Sequence, residues 1–132
     1  ITLGKNNNMS NTNYEKVREF MQTFGQEVKD DPAYAGDEVS DLGIELISEE
    51  LQELCEAVAN NDMPEIADAL TDLLYVVYGA GAAYGIDLDA TFDEVHDSNM
   101  SKLGEDGKPI YREDGKILKG PNYWAPDMEK FV

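Results

Sequence analysis

The chain of 132 residues is long enough for one hydrophobic core and too short for two independent ones, so we look for one site. It contains 10 Lys and Arg residues against 28 Asp and Glu residues, a formal charge of −18 at pH 7. A surface this acidic repels nucleic-acid phosphates and anionic membranes, which argues against DNA, RNA and membranes as partners. A small anion can still bind where a divalent cation and a few Lys side chains reverse the local field.

The compartment is predicted from cysteine usage and from the first residues. Cys55 is the single cysteine and cannot form an intramolecular disulfide, which favours a reducing, cytoplasmic location. The polar start ITLGKNNNMSN lacks the apolar segment of a secretory signal. Because residue 1 is not Met and Met9 is a candidate start, we expect residues 1–8 to be leader sequence. We expect residues 1–12 to be disordered and a single domain to span residues 13–132.

The first predicted helix runs from about Asn13 to Val28. Its apolar residues recur at intervals of three and four and form one face. They are Val17, Phe20, Met21 and Phe24. Pro32 and Gly36 then interrupt the helical pattern.

The second and third predicted helices form an antiparallel pair. The second runs from about Glu38 to Asn60, and Pro64 opens the third, which runs to about Tyr84. The connection is too short for any other arrangement. Because the third helix is apolar on nearly every side after Leu73, we expect it to be the central and most buried one.

A fourth predicted helix runs from about Ala90 to Leu103, after Gly85 ends the third. From about residue 104 the tail is rich in Gly and Pro, and PIYREDGKIL predicts a hairpin around Asp114-Gly115. The predicted fold is therefore all-α: a four-helix bundle-like core with an irregular C-terminal tail that contains a short hairpin.

Acidic residues interrupt the apolar face of the second helix. Glu50 lies four residues after Leu46 and four before Leu54, inside the apolar stripe, where an unpaired charge is costly. Glu53 lies about 60° from Glu50 on the same helix. Ordinary solvated acids in an acidic protein remain the competing explanation for Glu53 and Glu49, whereas the position of Glu50 favours a function.

The third helix carries a second acidic face, on which Glu65, Asp68 and Asp72 lie within about 60° of one another. Asp72 is embedded in the apolar run ALTDLLYVV, which again favours a function, whereas for Glu65 taken singly an ordinary solvated role is favoured. Carboxylates that converge between two helices repel unless they are protonated or bridged by a cation. Oxygen donors without a His or Cys cluster favour Mg²⁺, or Mn²⁺, over Zn²⁺.

The ordered segments SEELQEL, ADALTDLLYVVYG and EVHDSNMSKL, followed by DGKPIYREDGK and KGPNY, resemble MazG-like and phosphoribosyl-ATP pyrophosphohydrolase-like proteins. The resemblance covers about residues 15 to 127. It implies Mg²⁺-dependent hydrolysis of a nucleoside triphosphate, with a deoxynucleoside triphosphate as the expected substrate, between the α and β phosphates. The products are a monophosphate and pyrophosphate, which suits housekeeping of the nucleotide pool. It also implies a homodimer or homotetramer.

The family motif is Glu-x-x-Glu on one helix and Glu-x-x-Asp on the next, and both pairs bind Mg²⁺. Glu50 and Glu53 match the first pair. Glu49, which adjoins Glu50, is our candidate for the general base, with a supporting role or no role as the alternatives.

The second pair departs from the family pattern. Asp72 precedes the apolar Leu-Leu run as the family's Asp does, but Ala69 stands three residues before it. Glu65 and Asp68 have the literal spacing, one turn earlier. We expect Asp72 and Asp68 to be ligands, with Glu65 as the substitute.

The resemblance also implies residues that contact the substrate. Asn99 and Lys102 share one face of the fourth helix and are expected to contact the nucleotide or its phosphates, with Lys116 as a weaker candidate. Phe20 and Phe24 are expected to line the base pocket, although a plain packing role fits them equally well. Two alternatives stay open: phosphoribosyl-ATP pyrophosphohydrolase of histidine synthesis, and a non-catalytic nucleotide-binding or assembly module, which the departure at Ala69 favours.

Overall fold

The structure, a computed structural model, describes residues 11–132. Its regular elements over that range are all helices, as predicted. Its helices are α1 (Asn13–Thr23), α2 (Asp37–Ala59), α3 (Met63–Tyr84) and α4 (Leu88–Met100), followed by a 3₁₀ helix at Glu129–Phe131. Nearly all of the predicted leader lies outside the described residues. The chain divides into a first compact unit that ends at Leu88 and a second from Asp89 to Val132.

Helix α1 begins with a capping box and ends earlier than predicted. The Thr12 side chain accepts a hydrogen bond from the Glu15 amide at 3.1 Å, and the Glu15 carboxylate accepts one from the Thr12 amide at 2.7 Å. The predicted end at about Val28 is wrong, because α1 ends at Thr23. Gly25 adopts a positive φ of 77°, which glycine tolerates without strain, and turns the chain out of the helix.

Helices α2 and α3 form the predicted hairpin. Asn61, with a φ of 51°, reverses the chain between them, and the Asp62 side chain accepts a hydrogen bond from the Glu65 amide at 3.2 Å. Pro64 lies in the first turn of α3, where its missing N–H is not needed. Helix α3 therefore packs along α2, and it also packs against α1.

Helix α3 is central, as predicted, but it is not deeply buried, so that part of the prediction is wrong. Its buried residues are Ala69, Gly81 and Ala82, whereas Leu70 and Leu74 are 47% and 54% exposed. The fully buried positions are small residues that allow close helix approach, whereas some large apolar side chains point outward and others, such as Tyr78, are half-buried. Periodicity alone cannot separate these two kinds of apolar position.

By length and composition alone, α3 is apolar enough to cross a membrane. Core helices of water-soluble proteins also meet this criterion, and α3 packs against two other helices. Asp72 near its middle would also be costly against lipid. This helix therefore does not indicate a membrane protein.

The core of the first unit lies where α1 meets the C-terminal half of α3. Tyr14, Val17, Met21 and Ala82 are buried together. The segment after α1 joins this core, because the Lys29 amide donates to the Ala82 carbonyl at 3.1 Å. These contacts hold α1 beside the apolar side of α3.

In the second unit the tail is fastened along α4. Buried Ser98 donates a hydrogen bond to the Trp124 carbonyl at 2.9 Å, and the Trp124 amide donates to Ser101 Oγ at 3.1 Å. The predicted hairpin is confirmed in a minimal form, a single antiparallel bridge between Tyr111 and Ile117.

Glu94 forms an ion pair that also holds the tail to α4, and we expect the stability that this ion pair contributes to depend on pH. The Lys130 ammonium donates to Glu94 Oε1 at 2.8 Å and the Asp127 amide donates to Oε2 at 2.9 Å, and both hydrogen bonds lower the pKa of the Glu94 carboxyl. A lowered folded-state pKa stabilises the protein above the unfolded pKa, and the gain is lost as pH falls through the folded pKa.

Glu94→Gln should therefore lower the unfolding temperature at neutral pH, and the deficit should shrink in acid. Unfolding followed by the fluorescence of Trp124, the single tryptophan, reports on this unit. Glu105→Gln in the exposed part of the tail is the matched control. A deficit of constant size across the acid range would contradict the ionic explanation.

Candidate metal centre and adjoining groove

Glu50 on α2 is the centre of the acidic site. It is half-buried, and its Oε1 atom is buried without a hydrogen-bond partner among the described residues. Burial raises the pKa of the Glu50 carboxyl, and repulsion from Glu53, Asp72, Glu49 and Asp68 raises it further. A carboxylate in such surroundings is an uncompensated negative charge.

Two consecutive helices supply a cluster of five carboxylate side chains, which we call the carboxylate cluster: Glu49, Glu50, Glu53, Asp68 and Asp72. The antiparallel hairpin brings the acidic face of α2 beside that of α3, as the sequence predicts. Asp72 is half-buried whereas Asp68 is exposed, so the carboxylate cluster extends from the helix interface to the surface.

The departure from the family pattern has a structural counterpart in Ala69. This residue is 4% exposed, which leaves it packed within the protein. Glu65, the substitute ligand, is exposed in the first turn of α3. Within residues 11–132, it is not one of the charges that raise the pKa of Glu50. Asp68 and Asp72 are thus the acids of α3 that act on Glu50, and the ligand roles stay predictions.

The residues present fit a hard divalent cation by chemistry. The donors are carboxylate oxygens, and the Glu50 oxygen that lacks a partner is the atom that a cation would compensate. Within residues 11–132, however, no three His, Cys, Asp or Glu side chains are arranged to hold a metal ion. Binding of a cation by three or more of these carboxylates would therefore require side-chain rearrangement.

We expect Mg²⁺ or Mn²⁺ at millimolar concentration to raise the unfolding temperature. The cation relieves the mutual repulsion of these carboxylates, and only the folded chain presents them together. Glu50→Gln should abolish the shift, whereas Glu45→Gln, an exposed acid on the same helix, should retain it. An unchanged unfolding temperature in the wild type would contradict a metal centre.

An aromatic cluster lies one helical turn beyond Asp72. The ring of Phe20 on α1 meets the ring of Tyr75 edge to face at 5.6 Å, and Phe24 packs on Phe20 at 4.6 Å. Phe20 lines the groove described next, whereas Phe24 is 67% exposed and is not among the lining residues. Of the two predicted base-pocket residues, Phe20 therefore lines this groove and Phe24 does not.

An apolar groove of about 410 Å³ runs between α1, the first half of α2 and the second half of α3. Ile47 and Tyr75 line the end nearest the carboxylates, one helical turn from Glu50 and Asp72 respectively. Small residues, including Gly43 and Gly79, leave the space open.

Sequence reasoning missed the polar end of this groove. There the Tyr84 hydroxyl donates a hydrogen bond to Ser40 Oγ at 2.7 Å. The two residues are 44 positions apart, so no local pattern pairs them. The antiparallel register of α2 and α3 was the available signal, because it places the start of one helix beside the end of the other.

The remaining predicted substrate residues belong to the second unit. Asn99 is exposed on α4 and its carbonyl accepts a hydrogen bond from the Lys102 amide at 3.1 Å. Lys102 is half-buried, and Lys116 is exposed in the hairpin turn. Their contacts with the nucleotide or its phosphates stay predictions.

Comparison with known proteins identifies the family. The family model of phosphoribosyl-ATP pyrophosphohydrolase matches residues 17–99. Uncharacterized protein L479 of Acanthamoeba polyphaga mimivirus is 35% identical over 112 residues, which are 82% of this chain and 42% of that protein. A solved structure of a candidate NTP pyrophosphohydrolase from Exiguobacterium sp. 255-15 is 25% identical, with coverage of 90% of this chain and 91% of that one and a TM-score of 0.48.

The chain thus spans less than half the length of its viral relative. The family match begins within α1, includes all of α2 and α3 with every carboxylate around Glu50, and ends near the end of α4. It covers more than half of the chain. The chain belongs to the phosphoribosyl-ATP pyrophosphohydrolase family.

Proposed function

We propose that this protein hydrolyses a nucleoside triphosphate, with Mg²⁺ bound, between its α and β phosphates, and releases a nucleoside monophosphate and pyrophosphate. Membership of a pyrophosphohydrolase family supports the reaction class. The observation that carries the proposal is the unpartnered, buried oxygen of Glu50 among four further carboxylates. Such an arrangement is costly for folding, and a cation-dependent site explains its presence.

The carboxylates of Glu50, Glu53, Asp68 and Asp72 would hold the metal, with Glu65 as the substitute. A bound divalent cation neutralises charge that develops on phosphate oxygens during the reaction. Glu49 is the proposed general base: its carboxylate takes a proton from water as the water oxygen attacks the α-phosphorus. The bond from this phosphorus to the bridging oxygen breaks, and pyrophosphate leaves.

A deoxynucleoside triphosphate of the cellular pool is the proposed substrate. The groove supports binding of a nucleotide with its phosphates at the carboxylates and its base in the groove. It starts one helical turn from the carboxylates and is largely apolar, as a base-binding wall requires. Phe20 is placed to contact the base. Asn99, Lys102 and Lys116 are proposed to contact the sugar or the phosphates.

The proposal extends to location and assembly. We place the activity in the cytoplasm, where nucleotides are consumed and Cys55 stays reduced. Exposed apolar side chains on α2 and α3 outside the groove, such as Leu51 and Leu74, support a homodimer or homotetramer.

A panel of ribo- and deoxyribonucleoside triphosphates with Mg²⁺ tests the reaction. We expect pyrophosphate and monophosphate in equal amounts, with no orthophosphate. Release of orthophosphate would place the cleavage at the other anhydride bond, and the absence of any turnover would favour the non-catalytic binding module.

Phosphoribosyl-ATP is the second candidate substrate, because the matching family model carries its name. It contains the same α–β anhydride bond, so the carboxylate cluster would serve both reactions. Direct comparison of kcat/KM for phosphoribosyl-ATP and for the triphosphate panel separates the two. A ratio that favours phosphoribosyl-ATP would replace the first candidate.

A further inference from the structure

The end of the groove far from the carboxylates carries a pair of hydroxyl groups. Tyr84 OH and Ser40 Oγ are 2.7 Å apart, and both residues are half-buried and line the groove. Most other lining residues are apolar, and the remaining ones with polar groups are Gln26, Glu27 and Tyr75. A hydroxyl pair at one end of a largely apolar groove favours one direction for an amphipathic ligand.

This hydroxyl pair retains hydrogen-bonding capacity. When one hydroxyl donates to the other, the pair still has one O–H donor and free lone pairs. Neither hydroxyl makes another hydrogen bond within the part of the chain that the structure describes. The pair can therefore offer a donor and an acceptor side by side to a ligand edge that presents the complementary groups.

The position of Tyr84 is held firmly from outside the groove. The ring of Tyr34 stacks on the ring of Tyr84 at 6.1 Å, and the Tyr34 hydroxyl is engaged by Asp37 at 2.6 Å. The Ala33 amide also donates to the Tyr84 carbonyl at 2.9 Å. A preorganised hydroxyl loses little entropy when it binds a ligand, which favours a recognition role.

The spacing matches a nucleotide. Ser40 precedes Glu50 by ten residues on α2, which is roughly 15 Å along a helix at 1.5 Å per residue. This span is comparable to the reach from a carboxylate-held cation, through the α-phosphate and sugar, to the far edge of a base. A ligand with its phosphates at Glu50 would present its base edge to the hydroxyl pair.

We propose that Ser40 and Tyr84 bind the hydrogen-bonding edge of the substrate's base, at the end of the groove far from the carboxylates, and so determine base specificity. This proposal rests on the proposed function, which places the phosphates of the ligand at Glu50. The base atoms in reach are the exocyclic group at position 4 of a pyrimidine, or position 6 of a purine, with the adjacent ring nitrogen. A base that lacks the exocyclic group would leave the buried hydroxyls partly unpaired, which is penalised.

The test measures binding of a non-hydrolysable triphosphate, with a methylene group between its α and β phosphates, by calorimetry in Mg²⁺. Each base is paired with its analogue that lacks the exocyclic group. The wild type should bind the complete base about three- to tenfold more tightly than the reduced analogue. Ser40→Ala and Tyr84→Phe should both bring this ratio close to one.

Tyr111→Phe is the matched control. It removes a tyrosine hydroxyl from an exposed residue that does not line the groove, so the ratio should stay at the wild-type value. Wild-type ratios in Ser40→Ala and Tyr84→Phe would overturn the proposal. So would a change in self-association in these two variants with unchanged nucleotide binding, since a second copy would then occupy the groove.

Binding and turnover separate this proposal from the proposed function. If the wild type binds and discriminates bases but releases no pyrophosphate, the hydrolytic function fails and base reading by Ser40 and Tyr84 stands. If pyrophosphate is released with the same ratios in all variants, the hydrolytic function stands and base reading fails.

Discussion

Glu50→Gln and Asp72→Asn are each expected to lower kcat by about a thousandfold, a loss of roughly 4 kcal/mol in transition-state stabilisation. Each change removes a negative charge from the proposed metal centre and almost no volume. The fold should stay intact. Without metal, Glu50→Gln should even unfold at the same or a higher temperature, because the charge that it removes is partly desolvated and repelled by its neighbours.

Steady-state pyrophosphate release and thermal unfolding, measured on the same preparations, check this expectation. Glu45→Gln is the control on α2, since it removes an exposed carboxylate of the same size from the same helix. Near-wild-type rates in Glu50→Gln would move the metal centre elsewhere. A large loss of stability in the metal-free variant would indicate a structural role instead.

Lys102→Ala is expected to lower kcat/KM by roughly ten- to a thousandfold, or about 1.4 to 4 kcal/mol. In a chain with a formal charge of −18, few cations are available to offset the triphosphate charge that a metal leaves uncompensated. Lys102 lies two residues after the end of α4 and is half-buried, which limits the freedom of its side chain. Its unfolding temperature should barely change.

Lys108→Ala is the matched control, because Lys108 is an exposed cation in the tail. It should alter kcat/KM by less than about twofold, the effect expected of a solvated surface charge. If Lys102→Ala behaves like this control, Lys102 does not act on the phosphates.

Sequence periodicity predicted the helical elements, because amphipathic segments and their capping residues act locally. It placed α2 within one residue of its observed ends, since Gly36 and the Asn-Asn-Asp turn delimit it. It misplaced the end of α1, which stops at Thr23 and not at Val28. The error came from giving apolar spacing more weight than Gly25, which directly follows the C-cap residue Phe24.

The candidate site was predictable in one part and not in another. Glu50 and Asp72 stood out because acids inside apolar runs conflict with local packing. The Ser40 and Tyr84 pair did not, because a hydroxyl at the end of a helix looks the same whether or not a distant partner meets it. The outward-facing Leu70 and Leu74 were unpredictable for the same reason, since burial is a property of the packed helices together.

The hairpin of α2 and α3 also has a kinetic consequence. Glu50 and the four carboxylates around it lie on these two consecutive helices, which are joined only by residues 60–62. Contacts between neighbouring elements close short loops and form early in folding. The carboxylates should thus assemble, and begin to repel one another, before the C-terminal tail is in place. A cation present at that stage would speed folding as well as stabilise its product, so the metal centre would be a folding element as much as a chemical one.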